Sequence, residues 1–84
     1  MENIKEIANK LKDISNNKEV FQFLTEILTE SELETLSKRW RILKMLKQGC
    51  TQRDIAKELK VSLCKVTRGA KLLNNQESVS VKYL

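Results

Sequence analysis

Histidine and proline are absent from this chain of 84 residues, glycine occurs only at 49 and 69, and cysteine only at 50 and 64. With no His and two Cys, one chain cannot supply the ligands of a Cys/His zinc site, so no metal residue is assigned. Catalysis is poorly provided for as well. There is no His, no Gly-rich phosphate loop and no nucleophile beside an evident base, so no catalytic residue and no enzyme are expected. Lack of Pro and scarcity of Gly permit helix nearly everywhere, because the two strongest helix breakers are missing or rare. Regular β-branched runs are missing except at the extreme end, and the expected fold class is all-α with five to six helices. No signal peptide and no apolar run near about eighteen residues is present, which predicts a cytoplasmic protein without a membrane partner. Both thiols are then expected to be reduced and structural. Only Phe21, Phe23, Trp40 and Tyr83 are aromatic. A chain of this size buries only about 60% of its unfolded surface, so its private core is marginal and oligomerisation is one remedy.

What is present is positive charge, and it is segregated. The net charge is +5, from 16 basic and 11 acidic residues. Residues 1–37 hold four Lys against eight Asp or Glu, a net −4, whereas residues 38–71 hold eleven Lys or Arg against only Asp54 and Glu58, a net +9. A solvated helix face can be Lys-rich without a partner. An excess confined to one segment is instead the footprint of phosphate neutralisation.

Apolar spacing divides the chain into helices. Ile4, Ile7, Ala8, Leu11 and Ile14 recur at helical intervals and predict a first helix over residues 2–15. Ser15-Asn16-Asn17 breaks it. Val20, Phe21, Leu24, Ile27 and Leu28 define a second. Thr29 with Glu32 and Ser31 with Glu34 are overlapping capping boxes that announce a third, carrying Leu33, Leu36, Trp40, Leu43 and Leu46 or Lys47 until Gly49 stops it. The tail 74–84 alternates at Val79, Val81 and Tyr83, leaving a strand, a short helix or a disordered end equally open. One helical domain is expected over 1–84, with 1–50 as dimerisation and scaffold helices, 51–73 as a reader and 74–84 as a tail.

The reader, TQRDIAKELKVSLCKVTRGAKLL from Thr51 to Leu73, reads as two short helices joined by a tight turn, the second one basic. That is the helix-turn-helix pattern, which lays its second helix in the DNA major groove. Thr51 can cap the first helix with Asp54 three residues on, and Ile55, Ala56 and Leu59 share one face. Val61 falls in the turn, with Lys60 at the left-handed position that Gly usually takes, at a cost of about 1–2 kcal/mol. Ser62 can cap the second helix, with Leu63, Val66 and Gly69 or Ala70 facing back onto the first, and small Ala56 allows close approach of the axes. An ordinary αα-hairpin of a bundle is the competing interpretation.

Through ILTESELETLSKRWRILKMLKQG and TQRDIAKELKVSLCKVTRG the chain resembles the bacterial tryptophan repressors, and weaker helical similarity extends upstream. The most specific pieces are LT before the third helix, the R-x-R-I segment at Arg39–Ile42, and TQR…TRG in the reader. The resemblance implies an intertwined all-helical homodimer, L-tryptophan as corepressor and a double-stranded DNA operator. It places Thr29 at the corepressor carboxylate, Arg39 and Arg68 around the indole, Ile42 and Gly69 along the pocket, and the backbone near Leu28 at the amino group. Guanidinium planes suit that ligand, since they stack on aromatic faces and attract carboxylates. A phosphate contact is the alternative role for such an Arg, more so for Arg68 than for Arg39. For DNA the resemblance points to Gln52, Arg53, Leu63, Cys64, Lys65, Thr67 and Lys71. Gln and Arg suit adenine and guanine edges, and Lys and Thr more often hold phosphate. The chain departs from the family at Leu72, where the family carries a Ser that helps hold the amino group, and in a shorter connection between Gly49 and Thr51.

The leading expectation is therefore a sequence-specific DNA-binding repressor gated by L-tryptophan and acting on tryptophan-metabolism operators, with no other cofactor. Leu72 motivates a second, a regulator of the same fold that does not respond to tryptophan. A third is a basic helical protein-interaction module using the apolar helices at 2–28.

Overall fold

The computed structural model describes residues 1–84 and contains six helices and no strand. These are α1 (Glu2–Asp13), α2 (Asn17–Ile27), α3 (Glu30–Lys47), α4 (Gln52–Leu59), α5 (Leu63–Leu73) and α6 (Val79–Lys82). The all-α expectation holds. The chain falls into two compact units, Met1–Leu33 and Glu34–Leu84, so the first turn of α3 belongs to one and its remainder to the other.

In the first unit the polar break between α1 and α2 acts as a cap, with the Asn16 side chain accepting the Glu19 backbone N–H at 2.8 Å. α3 begins at the first of the two overlapping boxes. The Glu32 N–H donates to Thr29 Oγ1 at 3.1 Å, and the Thr29 N–H donates to Glu32 Oε1 at 2.8 Å. This reciprocal pairing satisfies two donors that a helix start otherwise leaves free. Neither α1 nor α2 contains a buried residue. Ile7, Leu11, Val20, Phe23 and Leu24 are half-buried, while Ile4, Phe21 and Ile27 are exposed. Amphipathic helices of this length gain most of their stability from packing, and here that packing is incomplete within one chain.

The second unit holds the core. Ile42 of α3, Ile55 of α4 and Val66 of α5 are buried together, and Met45, Leu46, Cys50, Ala56, Leu59 and Val61 pack around them. Its two sharp helix ends share one wiring. After α3, Gly49 takes φ +93° and the Cys50 N–H reaches back to the Met45 carbonyl at 3.1 Å. After α4, Lys60 takes φ 55° and ψ 47°, and the Val61 N–H reaches the Ala56 carbonyl at 3.1 Å. Lys60 thus adopts the left-handed conformation that the sequence assigns to it. The strain is offset because the turn delivers Val61 into the core.

One expectation about packing is corrected. The apolar set Leu36, Trp40 and Leu43 does not form a single inward stripe on α3: Leu36 and Trp40 are exposed, and the buried side chains are Ile42 and Leu43. Gly69 brings α5 close against α3, and Ala56 is half-buried against the core. The tail settles as a helix, with Ser78 Oγ accepting the Val81 N–H at 3.2 Å and α6 packing on α5. An isolated strand in an all-helical chain would leave its backbone groups unpaired, whereas one helical turn pairs them locally.

Candidate nucleic-acid interface

The corner of α4 and α5 is built from local signals that the sequence states openly. Thr51 Oγ1 accepts the Asp54 N–H at 3.2 Å, and Ser62 Oγ accepts the Lys65 N–H at 3.4 Å, so each helix starts at its expected cap. Between them the left-handed Lys60 reverses the chain. Ile55 and Val66, both 0% exposed, lock the two helices onto Ile42.

Along α5, Val66, Gly69, Ala70 and Leu73 turn inward at i, i+3, i+4 and i+7. The opposite face carries Cys64, Lys65, Thr67, Arg68 and Lys71, all exposed. Leu63 belongs with them. It is 46% exposed, which corrects the expectation that it faces back onto α4. Arg53 on the first turn of α4 is exposed, and Gln52 beside it is half-buried.

The electrostatics of this face favour an anion. Of the cations in 38–71, only Lys38 forms an ion pair, with Glu34 at 3.5 Å, and only Lys47 is hydrogen-bonded, to the Leu84 carbonyl at 3.3 Å. Arg53, Lys65, Arg68 and Lys71 have no acidic partner within the chain. A cluster of like charges left unpaired repels itself, and that repulsion is relieved when phosphates approach.

One polar contact joins the two helices: Thr67 Oγ1 donates to Gln52 Oε1 at 2.9 Å and also lies 3.0 Å from the Leu63 carbonyl. Sequence reasoning names both residues but does not pair them. They stand fifteen positions apart, and only the helix crossing brings them together.

The residues assigned to the corepressor are placed as follows. Ile42 and Gly69 are buried against each other, and a Cβ at Gly69 would come within 2.9 Å of Ile42 Cγ2 and 3.3 Å of Leu46 Cδ1. Arg39 stands one turn before Ile42 on α3, Arg68 adjoins Gly69 on α5, and both are exposed. Thr29 caps α3, and its oxygen accepts a backbone N–H, which leaves its hydroxyl proton free to donate. Leu28 is half-buried at the end of α2.

Gly69→Ala is expected to lower stability by about 1–2 kcal/mol. Overpacking costs roughly 1–3 kcal/mol, and better helix propensity returns up to about 1 kcal/mol. Ile42 Cγ2 sits on a stiff β-branched carbon and cannot swing aside as a flexible side-chain end would. Urea denaturation of both proteins checks this, and an unchanged or raised midpoint would contradict the tight contact.

No helix of the chain is long and apolar enough to cross a membrane. Comparison with curated proteins and with solved structures gave no match. Comparison with protein families did: the model described as "Trp repressor protein" matches residues 2–83. With its cation-lined α4–α5 corner and a match over nearly its whole length, the chain belongs to the Trp repressor protein family, a family of DNA-binding transcriptional regulators.

Proposed function

We propose that this regulator is a sequence-specific repressor that binds its operator as a homodimer, with L-tryptophan as corepressor and tryptophan-metabolism operators as targets. The observation that carries the reading is the outer face of α5, whose cations are unpartnered while its inner face is locked to α3 and α4. Gln52, Arg53, Leu63, Cys64, Lys65, Thr67 and Lys71 are the proposed DNA-facing set. All but Gln52 are exposed on α4 or α5.

A second copy is supported by what one chain leaves uncovered. Phe21 is 71% exposed and Ile27 53% exposed, in a unit whose two helices bury nothing completely. A two-fold dimer also matches the two half-sites that a helix-turn-helix protein reads one helical turn apart.

Tryptophan is supported by Arg39 and Arg68. Both guanidiniums lack an acidic partner, and the elements that carry them meet at the Ile42–Gly69 contact. A planar cation can stack on an indole and still attract a carboxylate. Leu28 and Thr29 join this set on the resemblance alone. A corepressor works only by favouring the DNA-competent geometry, since equal binding to both states shifts nothing. Leu72, apolar and exposed three residues beyond Gly69, favours a second reading in which binding to DNA does not require tryptophan. Family membership weighs against the third reading, a protein-interaction module.

The test is to enrich duplexes from a randomised pool and to measure affinity with and without L-tryptophan. We expect removal of tryptophan to weaken binding between about 5-fold and 150-fold, the usual range of allosteric coupling. Equal affinity in both conditions would select the tryptophan-independent regulator.

A further inference from the structure

We propose that Thr67 is a positioning residue for Gln52: its hydroxyl holds the carboxamide oxygen, so that the amide presents only N–H donors to DNA. The proposal rests on the DNA-binding reading and refines it.

The geometry is specific. Thr67 Oγ1 lies 2.9 Å from Gln52 Oε1 and 3.0 Å from the Leu63 carbonyl, so a single hydroxyl proton faces two protein acceptors. A threonine whose proton is engaged in this way is a poor donor to phosphate. Gln52 differs from its neighbours: Thr51 and Arg53 are exposed, whereas Gln52 is half-buried. Its planar end group has one orientation to choose. With Oε1 turned toward Thr67, Nε2 and its two hydrogens turn away. Such a group pairs with an acceptor, either a phosphate oxygen or the O6/N7 edge of guanine. It is unsuited to adenine, where bidentate pairing uses the amide oxygen as well as the nitrogen. That narrows the sequence-based assignment of Gln52, which left adenine as its natural base, and it moves Thr67 from contacting DNA to orienting a neighbour.

Affinities would be measured for the full chain and its variants on the duplex enriched by wild-type protein and on a random-sequence duplex, at one salt concentration. T67V and Q52M should each weaken binding about tenfold, as expected for loss of one hydrogen bond. T67V/Q52M should also lose about tenfold, because both changes remove the same donor arrangement. T67S should bind as wild type. Q52E keeps an acceptor for Thr67 but has no donor, and should bind at least as weakly as Q52M. T67V should keep the wild-type melting temperature. A loss shared by the random duplex assigns the acceptor to phosphate, and a loss confined to the enriched duplex assigns it to a base edge. Losses that multiply to about a hundredfold in the double variant would put Thr67 on DNA by itself and overturn the proposal. So would an unaffected T67V, a wild-type Q52E, or a lowered melting temperature for T67V, which would make Thr67 a strut of the corner. If neither duplex is bound even at low salt, the DNA-binding reading fails first, and the proposal fails with it.

Discussion

Ile55→Ala is expected to lower stability by about 2–5 kcal/mol and to abolish duplex binding with it. Ile55 is 0% exposed and shares its core with only Ile42 and Val66 as fully buried partners. Natural domains have about 5–15 kcal/mol in total, and a core this small places the second unit toward the lower end of that range. The truncation leaves a void at the crossing of three helices, which the rigid Ile42 and Val66 side chains cannot fill. Ile55→Val should cost only about 0.5–1.5 kcal/mol and keep DNA binding, because most of the side-chain volume remains. Chemical denaturation followed by helical signal, together with gel shift, checks both variants. A wild-type midpoint for Ile55→Ala would mean that the corner is not held where the structure places it.

The second large effect is on salt dependence. A protein that contacts 6–10 phosphates loses roughly 10³- to 10⁵-fold in affinity between about 50 and 200 mM salt, through counterion release. The proposed dimer would present Arg53, Lys65 and Lys71 from each copy, none held by an internal carboxylate. Affinity on a random duplex should therefore fall steeply as salt rises. Lys65→Gln and Lys71→Gln should each flatten the slope by about 1, and weaken all sequences alike. Binding that barely responds to salt would mean that these cations do not meet phosphate.

The legible parts of the structure were those written over a few neighbouring residues. Thr51, Ser62, Asn16 and Thr29 each cap the helix expected of them, and Lys60 takes the left-handed turn assigned to it. A cap joins residues three apart, so sequence spacing nearly determines it. The apolar pattern of α3 was less informative, because it carries aliphatic or aromatic side chains on more than one face. Periodicity marks Leu36, Trp40 and Leu43 as readily as Ile42 and Leu46, and only the seat of α4 and α5 decides which of them lose water. Leu63 was ambiguous for a similar reason: at the first turn of a helix, a shift of one position moves a side chain from the inner to the outer face. In the candidate site, the outward residues of α5 followed from helical spacing and charge. The Gln52–Thr67 pairing did not, since no short-range pattern links positions fifteen apart.

Sequence alone determined the helical class, the place of the corner, and the confinement of positive charge to residues 38–71. Composition, capping and formal charge are properties of residues and their near neighbours, and they survive without knowledge of the fold. Tertiary structure decided that Ile42 rather than Trp40 joins the core, that Gly69 packs tightly on Ile42 of α3, and that Thr67 donates to Gln52. Each of these depends on the angle and depth at which helices cross. That geometry is fixed by the packing of all the interdigitating side chains together, and no local stretch of sequence encodes it.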